Sequence, residues 1–154
     1  MDMPMTADEL QAYLVAEFPQ AFGPGRAHAI VRVDAAGVGV KLDASHEHLR
    51  PGDTVSGPTM MGLADIAAYA AILAAIGPVP LAVTTNFSIN FLRKPPSGEL
   101  VADARLMKLG KRLAVVEVSV RAPHAGLADP YAVIGEEELC AHAVTTYSIP
   151  PQAI

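Results

Sequence analysis

Between Thr59 and Ile76 the sequence holds a single charged residue, Asp65, in a run otherwise made of Met, Gly, Leu, Ile, Tyr and above all Ala. A segment apolar around its whole circumference predicts a helix buried on nearly every side. Pro58 fits the first helical position, Ser56 or Gly57 fits the cap, and Gly77-Pro78 supplies the stop. A membrane span needs about 20 mostly apolar residues. The run from Met60 to Ile76 is shorter, rich in Ala and interrupted by Asp65, so it reads as the core helix of a soluble, cytoplasmic protein. Met1 to Glu9 carries acids and no basic run, and so does not read as a secretory signal.

The rest of the chain must then cover that helix. Thr6 with Glu9 three residues on has the form of a capping box, and Leu10, Tyr13, Leu14 and Phe18 follow at helical spacing. Pro19 and Gly23-Pro24-Gly25 end this first helix. Ala27 to Val33 and Val38 to Asp43 read as short strands joined at Ala35-Ala36-Gly37. Arg50 to Thr59 is turn-like.

Beyond the central helix the period changes to two. Leu81, Val83, Thr85, Phe87, Ile89 and Phe91 alternate with Ala82, Thr84, Asn86, Ser88 and Asn90, the pattern of a long half-buried strand. Leu100 to Leu109 and Leu113 to Arg121 read as strands joined by a tight Gly110-Lys111-Arg112 turn. His124 to Glu138 is looser, with Glu136-Glu137-Glu138 as a solvated run, and Leu139 to Ile149 is a last strand. A long helix followed by long antiparallel strands predicts an α+β fold with a sheet wrapped round the helix. With 154 residues and no internal repeat, one domain over 1–154 is expected, residues 1–25 forming an N-terminal helix and linker.

Asp65 is the residue that most needs a partner. An ionised carboxylate in an apolar helix must be hydrogen-bonded, titrate at raised pH, or line a cavity. It is either a structural Asp bonded to a nearby hydroxyl or a nucleophile or general base. Gly57 at the helix start could bring a bare N–H to a ligand where the helix dipole favours negative charge, an oxyanion-hole arrangement, or could serve only a tight turn. The two lie roughly 12 Å apart along a helix rising 1.5 Å per residue. They cannot act on one carbonyl within a single chain. If both act, a two-fold homodimer must bring Asp65 of one subunit to Gly57 of the other.

These are also the residues at which the chain becomes recognisable. Arg50-Pro51-Gly52-Asp53-Thr54-Val55-Ser56-Gly57-Pro58 followed by Leu63-Ala64-Asp65 resembles the Asn-Pro-x-Gly-x-x-His-Gly-Gly and Leu-Ala-Asp motifs of the PaaI-like hot-dog thioesterases. Thr84 to Pro95 resembles that family's third strand. Gly98-Glu99-Leu100 and Lys108-Leu109-Gly110-Lys111 resemble the strand and turn after it. The resemblance spans about residues 26–149. It implies a hot-dog fold, a homodimer or homotetramer with sites at the dimer interface, and hydrolysis of an acyl-CoA thioester. It assigns the acid to Asp65, the polarising N–H to Gly57, and water placement to Thr84. The chain departs from the pattern at Arg50 in place of Asn, Ser56 in place of His and Pro58 in place of the second Gly. Arg50 can still donate to a carbonyl, whereas Pro58 has no N–H to offer.

Substrate-binding roles are expected for Arg50, Ser56, Pro58, Met61 and Asn86. The resemblance implies a coenzyme A phosphate site along the edge carrying Arg93-Lys94, Lys108 and Lys111-Arg112. Small residues along the helix, Ala64, Ala67, Ala68 and Ala71, leave room either for an acyl chain or for close strand packing. His46-Glu47-His48 lacks a third ligand partner, so no metal site is expected, and no cofactor beyond the coenzyme A of the substrate. A formal charge of -5 argues against a nucleic-acid partner. One cysteine, Cys140, suits a reducing compartment. Two other functions share the fold: a non-catalytic acyl-CoA-binding or regulatory module, and an acyl-CoA hydratase or dehydratase.

Overall fold

A computed structural model describes residues 4–151. The expected domain span and the N-terminal reading therefore extend, at residues 1–3 and 152–154, outside the described residues. Helix α1 (Ala7–Glu17) begins at the expected capping box: the Thr6 hydroxyl accepts from Glu9 N, and the Glu9 carboxylate accepts from Thr6 N. Pro19 ends it, as expected, but a further turn of helix, α2 (Pro19–Phe22), follows at once, because Pro suits a helical first position.

Strands β1 (His28–Asp34) and β2 (Gly37–Ala44) form a hairpin. The turn-like stretch before the central helix contains a minor hairpin, β3 (Leu49–Arg50) with β4 (Thr54–Val55). Its corner places Gly52 and Asp53 at positive φ. Helix α3 spans Gly57–Ile76, two residues longer at its start than the apolar run suggests, because Ser56 is the cap and its hydroxyl accepts from Thr59 N. Strands β5 (Val83–Phe91), β6 (Gly98–Leu109), β7 (Leu113–Arg121) and β8 (Leu139–Ser148) complete a six-stranded sheet of order β1-β2-β6-β7-β8-β5, antiparallel throughout.

The sheet curls around α3, which packs against β2, β6, β7, β8 and β5, the hot-dog architecture that the motifs imply. By length and composition α3 could cross a membrane, yet it is the core helix of this sheet. Leu63, Ile72 and Leu73 are fully buried among Val38, Val40, Leu100, Val116 and Val118. Burying each such side chain contributes roughly 1.5–3 kcal/mol. Ala64, Ala67, Ala68 and Ala71 are also sealed under the sheet, so these small residues serve close strand packing.

Burial is not complete, contrary to the apolar pattern. Pro58, Met61, Gly62, Asp65, Ile66 and Tyr69 form an exposed or half-buried stripe along α3. Their helical spacing marks the one face that a single sheet does not reach.

On the convex side of the sheet a second polar system closes the looser stretch onto the strands. Arg121 donates to the carbonyls of Ala122, Pro130, Tyr131 and Ala132, and shares Asp103 with Arg32. The Glu136-Glu137-Glu138 run is not uniformly solvated. Glu137 is largely buried and accepts from Ile134 N, Gly135 N and His124 Nε2, which fixes the loop's corner.

Candidate active site

Asp65 is partnered by hydroxyls. Thr84 Oγ1 donates to Asp65 Oδ1 at 2.6 Å, and the Tyr147 hydroxyl lies 2.7 Å from the same oxygen and 2.9 Å from the Asp65 carbonyl. Among the described residues both side-chain donors converge on Oδ1 and none reaches Oδ2. The carboxylate is thus held in one orientation by two neutral hydroxyls on a single oxygen.

A bulge makes this geometry. Strict alternation would put Thr84 on the face opposite Phe87. In the pairing of β5 with β8, Thr84 faces Tyr147, Asn86 faces Thr146 and Phe87 faces Thr145, with the register shifting between Thr84 and Asn86. The extra residue, Thr85, lets Thr84 join Tyr147 and Phe87 on the helix side. The same shift leaves Asn86 exposed and off the cavity with Asp65, so the two polar positions that alternation groups together are separated.

In front of the carboxylate lies a cavity of about 370 Å³. Asp65, Thr84 and Tyr147 gather at one end, Ile66, Tyr69 and Phe18 supply apolar wall, and Glu17 borders the end beside Phe18. Burial, with the Asp65 carboxylate beside it, pushes the Tyr147 phenol well above the ordinary tyrosine range, so it stays a donor. Tyr147 was not evident from its own stretch of sequence, where it is one inward residue of a strand. Only its pairing with Thr84 makes it part of the site.

The other expected site residues fall elsewhere on the chain. Gly57 is the first residue of α3, where N–H groups have no acceptor within the helix. A Cβ at Gly57 would stand 3.3 Å from the Phe91 ring, which ties this glycine to the far end of β5. Ser56 is committed to the cap, its hydroxyl 2.7 Å from Thr59 Oγ1. Pro58, Met61 and Arg50 are exposed, the first two on the uncovered stripe of α3 and Arg50 on the minor hairpin.

The basic residues do not form one edge. Arg112 donates to Ile149 O, and β7 starts opposite Ser148, at the end of the sheet where β5 begins. Arg93 and Lys94 follow the opposite end of β5, where Leu92 and Arg93 N–H groups bond Cys140 O. A nine-residue strand separates the pairs by roughly 25 Å. Their closeness in sequence is undone by β6, which carries the chain the length of the sheet. His46-Glu47-His48 forms a 3-10 turn in which His48 Nδ1 accepts from Ser45 N.

Comparison with known proteins places the fold in a family. The model of the thioesterase superfamily matches residues 52–128, a span that includes Gly57, Asp65 and Thr84. A crystal structure of a candidate thioesterase from Silicibacter sp. TM1040 is 41% identical, covers 98% of this chain and 96% of that one, and superposes with a TM-score of 0.78. The PaaI protein of the phenylacetic acid degradation operon of E. coli shares the fold at 20% identity, with a TM-score of 0.65 and 82% of each chain covered. A candidate esterase of Thermoplasma acidophilum is 24% identical over 117 residues, 76% of this chain and 79% of that protein.

Proposed function

Because the chain belongs to the thioesterase superfamily, with a PaaI-like hot-dog fold, we propose that it hydrolyses acyl-CoA thioesters with Asp65 as the reactive carboxylate. The observation that carries this reading is the carboxylate itself, oriented by Thr84 and Tyr147 at one end of a cavity of mixed polar and apolar lining. Asp65 either takes a proton from the attacking water or attacks the thioester carbonyl. In the first case the water oxygen bonds the carbonyl carbon as the C–S bond breaks, and the proton held by Asp65 passes to the departing thiolate. In the second an Asp65 mixed anhydride forms as the thiolate leaves, and water then cleaves the anhydride to release the acid and restore the carboxylate.

The oxyanion donor must come from a second copy. Among the described residues strand β5 ends the sheet with one edge unpaired, and Val83 and Phe91 are 55% and 49% exposed. An exposed edge of this kind favours pairing with another strand. Two-fold antiparallel pairing along β5 sets the Val83 end of one subunit against the Phe91 end of the other. Gly57, packed at Phe91, then approaches the Thr84 and Asp65 of the opposite chain. The same operation brings Arg93 and Lys94 of the partner subunit toward the end that holds Lys111 and Arg112. The two basic pairs, distant within one chain, then flank one site and can meet the phosphates of coenzyme A. In this reading the active unit is a homodimer, on its own or within a tetramer.

Thiol release from a panel of acyl-CoAs, with wild type and Asp65→Asn measured side by side, tests the proposal. Turnover that falls by at least a hundredfold in the variant, with the dimer intact by light scattering, is the expected result. Acyl-CoA binding without turnover in wild type would replace it with the binding-module reading, and water addition to an enoyl-CoA with the hydratase reading.

A further inference from the structure

The Asp65 cavity has an end wall that belongs to a different part of the chain from the thioesterase motifs. From Asp65 it runs toward the C-terminal end of α3, past Tyr69, which stands four residues and thus roughly 6 Å further along the axis. There it meets Phe18, at the corner between α1 and α2. The Phe18 and Tyr69 rings meet edge to face, 6.3 Å between centroids and 79° between planes. Tyr69 is itself tied to the opposite wall by its hydroxyl, which donates to Pro80 O at 3.1 Å.

Phe18 is held in place independently of any ligand. Leu10 and Leu14 bury α1 against the core, Gln11 Oε1 accepts from Ile30 N at 2.8 Å, and Met5 N donates to Ala74 O near the end of α3. Pro19 then breaks the helix at Phe18, whose backbone leaves helical geometry at φ -131, ψ 56. A ring fixed at a chain corner, packed on a ring fixed by its own hydrogen bond, is a rigid stop. The cleft that it bounds on this side, open to solvent elsewhere, measures about 370 Å³, near the small end of ligand pockets, which run from about 300 to 1,000 Å³.

We propose that the C-terminal corner of α1 is the far wall of the acyl chamber and that Phe18, packed on Tyr69, limits the substrate to short acyl groups. This rests on the acyl-CoA reading above. It makes the N-terminal helix a specificity element, although it takes no part in the chemistry.

Binding of S-alkyl-CoA thioethers, which the enzyme cannot cleave, reads the wall separately from hydrolysis. Ethyl, butyl, octyl and dodecyl thioethers are titrated calorimetrically into wild type, Phe18→Ala and Phe18→Trp, each checked for an intact melting transition. In wild type, affinity should rise about fourfold per methylene through the short chains and stop rising before dodecyl. Phe18→Ala should bind the dodecyl thioether at least tenfold more tightly than wild type does, and Phe18→Trp should weaken octyl binding by a similar factor. Opposite movements in the two variants cannot come from general loosening of the fold. The same length dependence in all three proteins overturns the wall. A wild type that shows the expected length limit yet releases no thiol from acyl-CoAs supports the wall and overturns the hydrolase reading alone.

Discussion

Two aspartates, Asp65 and Asp103, sit in the same domain on opposite faces of one sheet, and each holds its carboxylate against the loss of water by different means. Asp103 lies between two guanidiniums: Arg32 Nη2 at 2.8 Å from Oδ1, Arg121 Nε at 2.6 Å from Oδ2. Both of its oxygens are taken by cations, and those cations go on to bind the loop carbonyls. Asp65 receives two neutral hydroxyls on one oxygen and faces a cavity. An acid neutralised by buried arginines is fit to hold a structure. An acid oriented by hydroxyls keeps its charge available for a proton or a carbonyl carbon. The distinction lies in the partner, since burial alone does not separate the two.

Substitution should break that contrast along different axes. The largest effect expected is on Asp65→Asn, about a thousandfold loss in kcat/KM for thioester hydrolysis with the fold retained, or about 4 kcal/mol of transition-state stabilisation. Asp103→Ala should do the reverse. It leaves buried Arg121 without its acid, while Arg32 keeps Asp34, at a cost of about 3–5 kcal/mol in urea unfolding, with turnover per folded molecule unchanged. Loss of activity in Asp103→Ala beyond its loss of folded protein would undo the division of labour.

Tyr147→Phe sharpens the comparison. It removes one of the two donors that orient Asp65 while leaving the ring stacked on Tyr69. Steady-state kinetics should show kcat lowered about tenfold with KM little changed, the cost of about one hydrogen bond. A rise in KM alone would assign Tyr147 to binding.

The smallest effect concerns pH on the convex side. Burial by itself would raise Glu137, but the N–H groups of Ile134 and Gly135, with His124, hold it below the ordinary glutamate value of 4.5. A carboxylate depressed on folding contributes stability that is complete above its unfolded value. That stability is lost as pH falls through the folded one. The amide resonances of Ile134 and Gly135 should therefore stay fixed at neutral pH and begin to shift only below about pH 4.5.

The elements that were legible in the sequence were those with local signals. The capping box at Thr6 and Glu9, the Ser56-Gly57-Pro58 helix start, the apolar helix and the strands all follow from spacing within a few residues. Asp65 stood out for the same reason, being the one charge in its helix. What could not be read depends on pairing between distant strands. The bulge beside Thr84 exists only against β8, and Tyr147 enters the site only through that register. Glu137 looked like its two neighbours until the loop folded back on it. The basic residues looked like one patch because the sequence does not state that β6 spans the sheet.

The alanines sealed beneath the sheet also say how this interior can drift. Ala64, Ala67, Ala68, Ala70, Ala71 and Ala74 are all at most 1% exposed. Cores built from Leu and Phe fail chiefly by excavation, since most accessible replacements leave a void. At these six positions there is almost nothing left to excavate. Nearly every replacement adds atoms where backbone already approaches backbone, and overpacking costs about 1–3 kcal/mol in such settings. Tolerance along this helix should be one-sided, confined to the stripe positions that neither carry the reactive carboxylate nor pack on Phe18, such as Pro58, Met61 and Ile66. That stripe is where a lineage could alter its substrate without unseating its fold.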